Sequence, residues 1–195
     1  MSLIKHATRP VRHFRGGVSR RGFLARVGAV AAGTLLLPSQ EAFSKALTKE
    51  RRLTLYNTNT DEELGIVCSP QKNYDRKTLL QFNQFLRDHR TEESHAMDPA
   101  LIDLLYAVTV LTRGRGEFKI ISGYRAPETN EMLRKYSHGV AEHSLHMVGK
   151  AIDMRTDDVS TKTLQLAAIA LQQGGVGYYR ASDFVHMDTG DIRTW

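Results

Sequence analysis

Cysteine is almost absent from this sequence, since Cys68 is the only one among 195 residues. A single thiol excludes an intramolecular disulfide framework and any iron–sulfur or zinc site built from several cysteines. Proline is also scarce, at five residues, and there is no proline-rich or other low-complexity segment. The eight histidines leave histidine and carboxylate side chains as the available route to a bound metal.

Long apolar runs are missing as well. Residues 25–38 form an apolar stretch that is shorter than the roughly 20 residues of a membrane-spanning helix. The stretch follows the pair Arg20-Arg21, and the arrangement resembles signals read by the twin-arginine export machinery. We therefore predict that residues 1–46 are an export signal, that the protein reaches the periplasm or cell envelope, and that no stable membrane span remains after cleavage. The alternative interpretation is a basic arm that binds nucleic acid.

Negative charge is scarce at the start of the chain, and this explains the formal net charge of +6. Residues 1–46 hold eight of the 27 basic side chains and one of the 21 acidic ones, so residues 47–195 hold 19 and 20, a net of −1. The absence of a basic excess after the signal argues against a nucleic-acid partner. A length of about 150 residues suits one domain, and we predict that residues 47–195 form a single catalytic domain.

Hydrophobic patterns in this domain predict an α+β fold, a mainly antiparallel sheet flanked by helices. Alternating or short apolar runs predict strands at 53–57, 64–68, 118–122, 151–154, 176–179 and 184–188. Helical spacing predicts helices at 76–89, from 98 towards 114, at about 128–138, and at 161–173. The turn-rich residues between the first two strands predict a β-hairpin.

Two histidines and one aspartate form the pattern with the most chemical information. His146 and Asp153 lie seven positions apart, which differs from the i, i+4 spacing of two ligands on one helix. Gly149 between them allows a loop histidine to approach a strand carboxylate, and His186 lies in the last predicted strand. Two imidazoles and one carboxylate, with water in the fourth position, are a normal ligand set for catalytic zinc. Magnesium and calcium favour oxygen ligands instead.

Three motifs in a fixed order carry a family resemblance. They are S-G-Y-R at 122–125, S-x-H-x-x-G-x-A-x-D at 144–153 and D-x-x-H at 183–186. Together they resemble the zinc peptidases that include D-alanyl-D-alanine dipeptidases and carboxypeptidases and that share a fold with the hedgehog signalling domain. Within that superfamily, the sequence is most similar to a twin-arginine-exported branch of murein endopeptidases. The resemblance implies a hedgehog/DD-peptidase-like fold, one zinc ion per chain, and peptidoglycan stem peptides as the substrate.

The resemblance also implies a role for each of seven residues. The zinc ligands would be His146, Asp153 and His186, and the general base for the zinc-bound water would be Asp183. Arg125 would bind and polarise the scissile carbonyl or a nearby carboxylate. The substrate groove would be lined by Ser122 and Tyr124.

The base assignment has a rival. In a regular strand Asp183 would face away from His186, because side chains alternate, so Asp183 must lie in the preceding loop or at a bulge. Asp188 shares the face of His186 and would be either the base or a group that orients the imidazole. The sequence favours Asp183, which stands where the dipeptidase branch has a catalytic glutamate.

The predicted function is that of a zinc-dependent murein endopeptidase that hydrolyses peptide cross-links of peptidoglycan. The resemblance favours bridges between two diaminopimelate residues. One alternative is a D,D- or L,D-carboxypeptidase that trims stem peptides on the same scaffold. Another is a non-catalytic, zinc-containing domain that binds murein.

Overall fold

A computed structural model describes residues 48–69, 73–137 and 139–195. The predicted export signal, residues 1–46, lies outside these residues. Across the described part of the chain, no helix combines the length and the apolar character needed to cross a bilayer.

The described residues form one mixed sheet of seven strands. The strands are β1 (Arg51–Asn57), β2 (Glu63–Cys68), β3 (Glu117–Ser122), β4 (Ala151–Arg155), β5 (Gly175–Tyr179), β6 (Phe184–Asp188) and β7 (Arg193–Thr194). Their spatial order is β2-β1-β3-β4-β6-β5-β7. The pairs β1–β3 and β5–β7 are parallel, and the other pairs are antiparallel. The α+β class is confirmed, but the predicted mainly antiparallel sheet was wrong and is corrected to a mixed one.

The connections explain this correction. The predicted hairpin is confirmed, with Leu53 of β1 opposite Ile66 of β2. After β2 the chain passes through two helices and returns as β3 on the free side of β1, running parallel to it. Hydrophobic periodicity identifies strands but does not give the direction in which a strand returns. The two-residue strand β7 was not predicted, because it is too short to show an alternating pattern.

Four α-helices accompany the sheet in the described residues, at the four predicted places. They are α1 (Arg76–Phe85), α2 (Ala100–Thr112), α3 (Pro127–Tyr136) and α4 (Thr161–Leu171). Helix α2 is buried along almost its whole length, because it is apolar on every side and forms the centre of the core with α4 and the sheet.

The alternation of side chains along the strands separates the core from a polar face. Ile152 and Met154 of β4 and Met187 of β6 are fully or almost fully buried in the core with the helices. Asp153 and His186 are their immediate neighbours along the two strands and therefore project from the opposite face of the sheet. This face carries the polar cluster predicted from the motifs.

Candidate active site

The register of two neighbouring strands brings the first two predicted ligands together. Asp153 of β4 lies directly opposite His186 of β6 in the antiparallel ladder. Directly opposite side chains on one face are close enough to interact. The Oδ1 atom of Asp153 lies 2.8 Å from Nδ1 of His186.

A short 3-10 helix, Leu145–Val148, supplies the third predicted ligand, His146. Gly149 ends this helix in the left-handed conformation, with φ of 66°. A Cβ atom at this position would collide with the carbonyl oxygen of Ala96, so the turn requires glycine on both grounds. The resulting turn places Nε2 of His146 3.2 Å from the ring of His186 and 3.3 Å from Asp153.

The three atoms that meet have the spacing of a metal site. Nε2 of His146, Nδ1 of His186 and Oδ1 of Asp153 form a triangle with sides of 2.8 to 3.3 Å. Zinc bonds of about 2.0–2.1 Å in a tetrahedral site place neighbouring ligand atoms about 3.3–3.4 Å apart. All three residues are buried, and they form a group of side chains that could hold a metal ion. The donor set and its dimensions fit zinc.

The outer nitrogens of both histidines have acceptors that fix the rings. Nδ1 of His146 lies 2.7 Å from the carbonyl oxygen of Gly123, and Nε2 of His186 lies 3.0 Å from Oδ2 of Asp188. A carbonyl and a carboxylate can only accept, so each outer nitrogen carries the proton. In the neutral form of each ring, which metal binding requires, the lone pair would then lie on the inner nitrogen, where a metal would bind.

Asp188, the rival candidate for the base, contacts the nitrogen of His186 that faces away from His146 and Asp153. Its side chain is fully buried and accepts hydrogen bonds from the backbone N–H groups of Gly175 and Gly190. The guanidinium of Arg193 donates to both of its oxygens, at 2.7 and 3.2 Å. With both oxygens occupied, Asp188 orients the imidazole of His186, the second of the two roles considered for it.

The carboxylates of the cluster favour positive charge at its centre. Burial alone would raise the pKa of Asp153, but the two histidines outweigh burial and hold the pKa of this carboxyl well below its usual range. Burial would lower the pKa of His186, but the hydrogen bonds to Asp153 and Asp188 raise it to about 9. The carboxylates therefore favour a cation at the point where the three inward atoms converge.

Arg125 places a cation beside the predicted metal ligands. Its Nη2 atom lies 3.7 Å from Oδ2 of Asp153, and its guanidinium donates to Asn130 at 3.3 Å and to Ser122 at 3.4 Å. Only 12% of the side chain is exposed. Burial lowers the pKa of Arg125, and the positive charge of Arg90 lowers it further, against the opposing effect of Asp153. The site thus holds a buried guanidinium directly next to a metal ligand.

Two cavities meet at this point. The main cavity, of about 470 Å³, is lined by the three ligand residues with Arg125, His143, Tyr179, Ser182, Phe184, Arg193 and Trp195, among others. The side cavity, of about 250 Å³, is lined by Arg87, Asp88, His89, Arg90, Ser122, Tyr124 and Thr129, among others, and shares Arg125, Asp153 and Phe184 with the main cavity.

Comparison with known proteins identifies the family. A family model described as Peptidoglycan L,D-endopeptidase MepK, of the Peptidase_M15_2 group, matches residues 45–195. The Escherichia coli K12 protein named peptidoglycan L,D-endopeptidase MepK is 38% identical over 177 residues, covering 91% of this chain and 97% of that protein. The Haemophilus influenzae protein named probable peptidoglycan L,D-endopeptidase MepK is 40% identical over 170 residues, covering 87% and 91%.

The chain belongs to the MepK family. The predicted resemblance to murein endopeptidases is confirmed by this membership, and so is the prediction that the chain is a metallopeptidase. No solved structure gives a significant match. The hedgehog-like fold implied by the resemblance therefore stays a prediction.

The family-derived groove residues lie along the side cavity. Ser122 contacts Arg125 and lines this cavity. Tyr124 also lines it, and its ring stacks on His95 with a centroid distance of 4.9 Å. The backbone N–H of Tyr124 donates to the carbonyl of Leu86 at 2.7 Å, which fixes this segment beside the site.

Asp183 is the one predicted site residue that the structure does not bring to the others. It lies in the loop before β6, as the sequence argument required, in the left-handed conformation with φ of 51°. Its carboxylate accepts from the hydroxyl of Thr161 at 2.7 Å and lies 4.0 Å from Arg155. Among the described residues that line the main cavity, Asp153 is the only carboxylate. This geometry does not support the base role predicted for Asp183, because the turn directs its side chain towards Thr161, the first residue of α4.

Two residues that line the main cavity, Tyr179 and Trp195, were not predicted from the sequence. Trp195 tilts over the ring of His186 at a centroid distance of 5.1 Å, and its Nε1–H donates to the hydroxyl of Tyr179 at 3.1 Å. Tyr179 lines the main cavity and stacks on Phe184, whereas the neighbouring Tyr178 packs against the core. Strand alternation separates this tyrosine pair, but no local pattern signals Trp195.

Proposed function

We propose that the chain is a zinc-dependent endopeptidase that hydrolyses L,D linkages in peptidoglycan cross-links. The observation that carries the proposal is the buried cluster of His146, Asp153 and His186 beside Arg125, in a chain that matches the MepK family over residues 45–195. The family names supply the substrate class. The cluster supplies a metal site and a cation on the face of the sheet where two cavities meet.

The chemistry follows from these groups. Zinc, when bound, lowers the pKa of its water to about 7 and so supplies hydroxide near neutral pH. His146, Asp153 and His186 would hold the ion, and their hydrogen bonds to Gly123 and Asp188 fix the rings. As the peptide carbonyl is attacked, negative charge develops on its oxygen. The Arg125 guanidinium, buried in a low-dielectric site, is placed to stabilise that charge.

Tyr179 is a second group that can serve the reacting oxygen or the leaving nitrogen. Its hydroxyl accepts the indole N–H of Trp195, which leaves its own proton free to donate to a bound molecule. Stacking on Phe184, with centroids 4.5 Å apart, holds the ring in place on the cavity wall.

The presence of two cavities favours an endopeptidase over a carboxypeptidase. A cross-link continues on both sides of the bond that is cut, so both arms need room beside the metal. The main and side cavities meet at Arg125 and Asp153, and they offer such room on both sides. A carboxypeptidase has to hold a single terminal residue on one side.

We also propose that the protein works in the periplasm or cell envelope, where peptidoglycan lies. The twin-arginine pattern of residues 1–46 supports export by that machinery followed by removal of the segment. Because this pathway transports folded proteins, the metal could be bound before export.

Digestion of purified sacculi tests the function directly. We expect the zinc-loaded protein to convert cross-linked muropeptide dimers that carry L,D linkages into monomers, as measured by chromatography and mass spectrometry. A chelator should stop the reaction and added zinc should restore it, because the ligand cluster supplies the metal site. Dimers that persist while monomers lose a terminal residue would indicate a carboxypeptidase. Unchanged muropeptides with zinc bound would indicate a binding domain.

A pair of substitutions tests which polar group takes part in the reaction. We expect Asp183→Asn to keep zinc and to change kcat by less than about threefold, because its carboxylate is bonded to Thr161 outside the main cavity. We expect Tyr179→Phe to lower kcat by about tenfold through loss of one hydrogen bond. Steady-state kinetics and zinc analysis on both variants provide the measurement. A loss of 10²-fold or more in Asp183→Asn, within the range of general-base catalysis, would restore Asp183 as the base.

A further inference from the structure

The side cavity holds three arginines whose charges are not equally neutralised. Arg87 is paired with Glu62 and Glu92, each at 2.7 Å. Arg125 faces Asp153, a predicted metal ligand. Arg90 is exposed, and its guanidinium has no hydrogen bond or ion pair with any residue that the structure describes. The cavity therefore presents one arginine whose charge is available to a bound molecule.

Arg90 and Arg125 both line the side cavity. Two cations facing the same cavity cost free energy unless an anion lies between them. Their arrangement is complementary to a bound carboxylate, which both guanidiniums can bind with charge-assisted hydrogen bonds.

A buried carboxylate fixes the spacing of these two arginines. Asp88, only 2% exposed, accepts from the backbone N–H of Arg90 at 2.9 Å and from that of Ala126 at 2.8 Å. Ala126 directly follows Arg125, so Asp88 ties the two arginine-bearing segments together. Its oxygens accept hydrogen bonds from these backbone groups, and among the described residues no hydrogen bond joins it to either guanidinium. The cavity is preorganised before any ligand arrives.

We propose that the side cavity is an anionic-group subsite in which Arg90 binds the substrate carboxylate nearest to the scissile bond. This inference rests on the proposed function, which sets the bond at an L,D linkage, and on the bridge between two diaminopimelate residues that the family resemblance favours. In such a linkage, the carbon attached to the scissile nitrogen also bears a free carboxylate. A carbonyl held beside Arg125 in the main cavity therefore directs this carboxylate across Arg125 towards Arg90.

Arg90 is thus a specificity-determining residue. It selects linkages whose leaving amine carries a free carboxylate over linkages in which that group is an amide. The bond broken and the proton transfers stay those of peptide hydrolysis, because Arg90 touches only the carboxylate.

Binding of two matched probes tests the subsite without turnover. The probes are reduced-amide analogues of L,D-linked bis-diaminopimelate, one with the free carboxylate beside the replaced nitrogen and one with a carboxamide there. We expect the zinc-loaded full chain to bind the carboxylate probe at least about tenfold more tightly, the range for a hydrogen bond to a charged group, as measured by calorimetry. Arg90→Gln should remove this difference, and Arg76→Gln, which removes an exposed arginine on α1 remote from both cavities, should keep it.

Kinetics on the hydrolysable pair gives a second readout. For the carboxylate substrate, Arg90→Gln should raise KM by about tenfold and change kcat by less than about threefold, because the contact is made equally in the ground and transition states. For the carboxamide substrate, both constants should stay within about twofold. A carboxylate preference that survives Arg90→Gln, or no preference in the wild-type protein, overturns the proposal. Carboxylate-selective binding without hydrolysis supports the subsite and rejects the proposed function.

Discussion

Replacing Asp153 with asparagine is expected to release the metal and to stop hydrolysis. Asp153 is the only anionic member of the ligand cluster, and it touches both histidines, at 2.8 and 3.3 Å. Loss of a residue that merely orients a ligand typically costs about 10–100-fold in metal affinity. Loss of the ligand charge itself should cost more than about 10²-fold, so the purified variant should contain little zinc and show no measurable activity on sacculi.

A nearby carboxylate offers a matched control for this substitution. Asp157, four positions later, is exposed and paired with Lys119 at 2.7 Å on the surface. Asp157→Asn makes the same chemical change and should leave zinc content and activity unaltered. Elemental analysis after gel filtration, with circular dichroism to confirm folding, gives the comparison. Full zinc occupancy in folded Asp153→Asn would remove Asp153 from the ligand set.

Replacing Arg125 with methionine should give an equally large loss of activity by a different route. The guanidinium lies 3.7 Å from a metal ligand but is not itself a ligand, so the variant should keep its zinc. Removal of one group that stabilises an oxyanion typically costs about 10²–10³-fold in kcat. We expect a loss of this size, with a smaller loss for Arg125→Lys, which keeps the charge but not the planar fork.

The same substitution should not weaken the fold. Burial lowers the pKa of Arg125, which means that holding its charge in the interior costs free energy. Methionine fills similar space without that cost, so the unfolding temperature of Arg125→Met should be equal to or higher than that of the wild type. A variant with full activity, or one that is inactive because it has lost zinc, would contradict the role given to Arg125.

Part of the candidate site could be predicted from sequence, because motif spacing and strand alternation are local properties of the chain. The spacing of His146 and Asp153 around Gly149 excludes a helical site and requires a turn, and the structure contains that turn. Alternation along β6 correctly placed Asp188 on the face of His186, where it now accepts the ring N–H. Such features depend on residues within about one element of one another.

The remaining features depend on contacts between distant segments. Asp183 turns to Thr161, which is 22 residues away. Trp195 reaches the cavity because β7 pairs with β5, and a two-residue strand has no sequence pattern. Periodicity in the sequence describes each element alone, so these tertiary contacts lie beyond it.

The direct pairing of Asp153 with His186 makes the predicted metal site depend on strand alignment. A slip of one residue between β4 and β6 would turn one of the two side chains to the opposite face of the sheet. A misaligned sheet could not assemble the ligand set, so the metal binds the correct alignment alone. By mass action, each tenfold excess of free metal over its dissociation constant favours the correct pairing by a further ~1.4 kcal/mol. Metal binding would in this way also stabilise the correctly aligned sheet relative to a misaligned one.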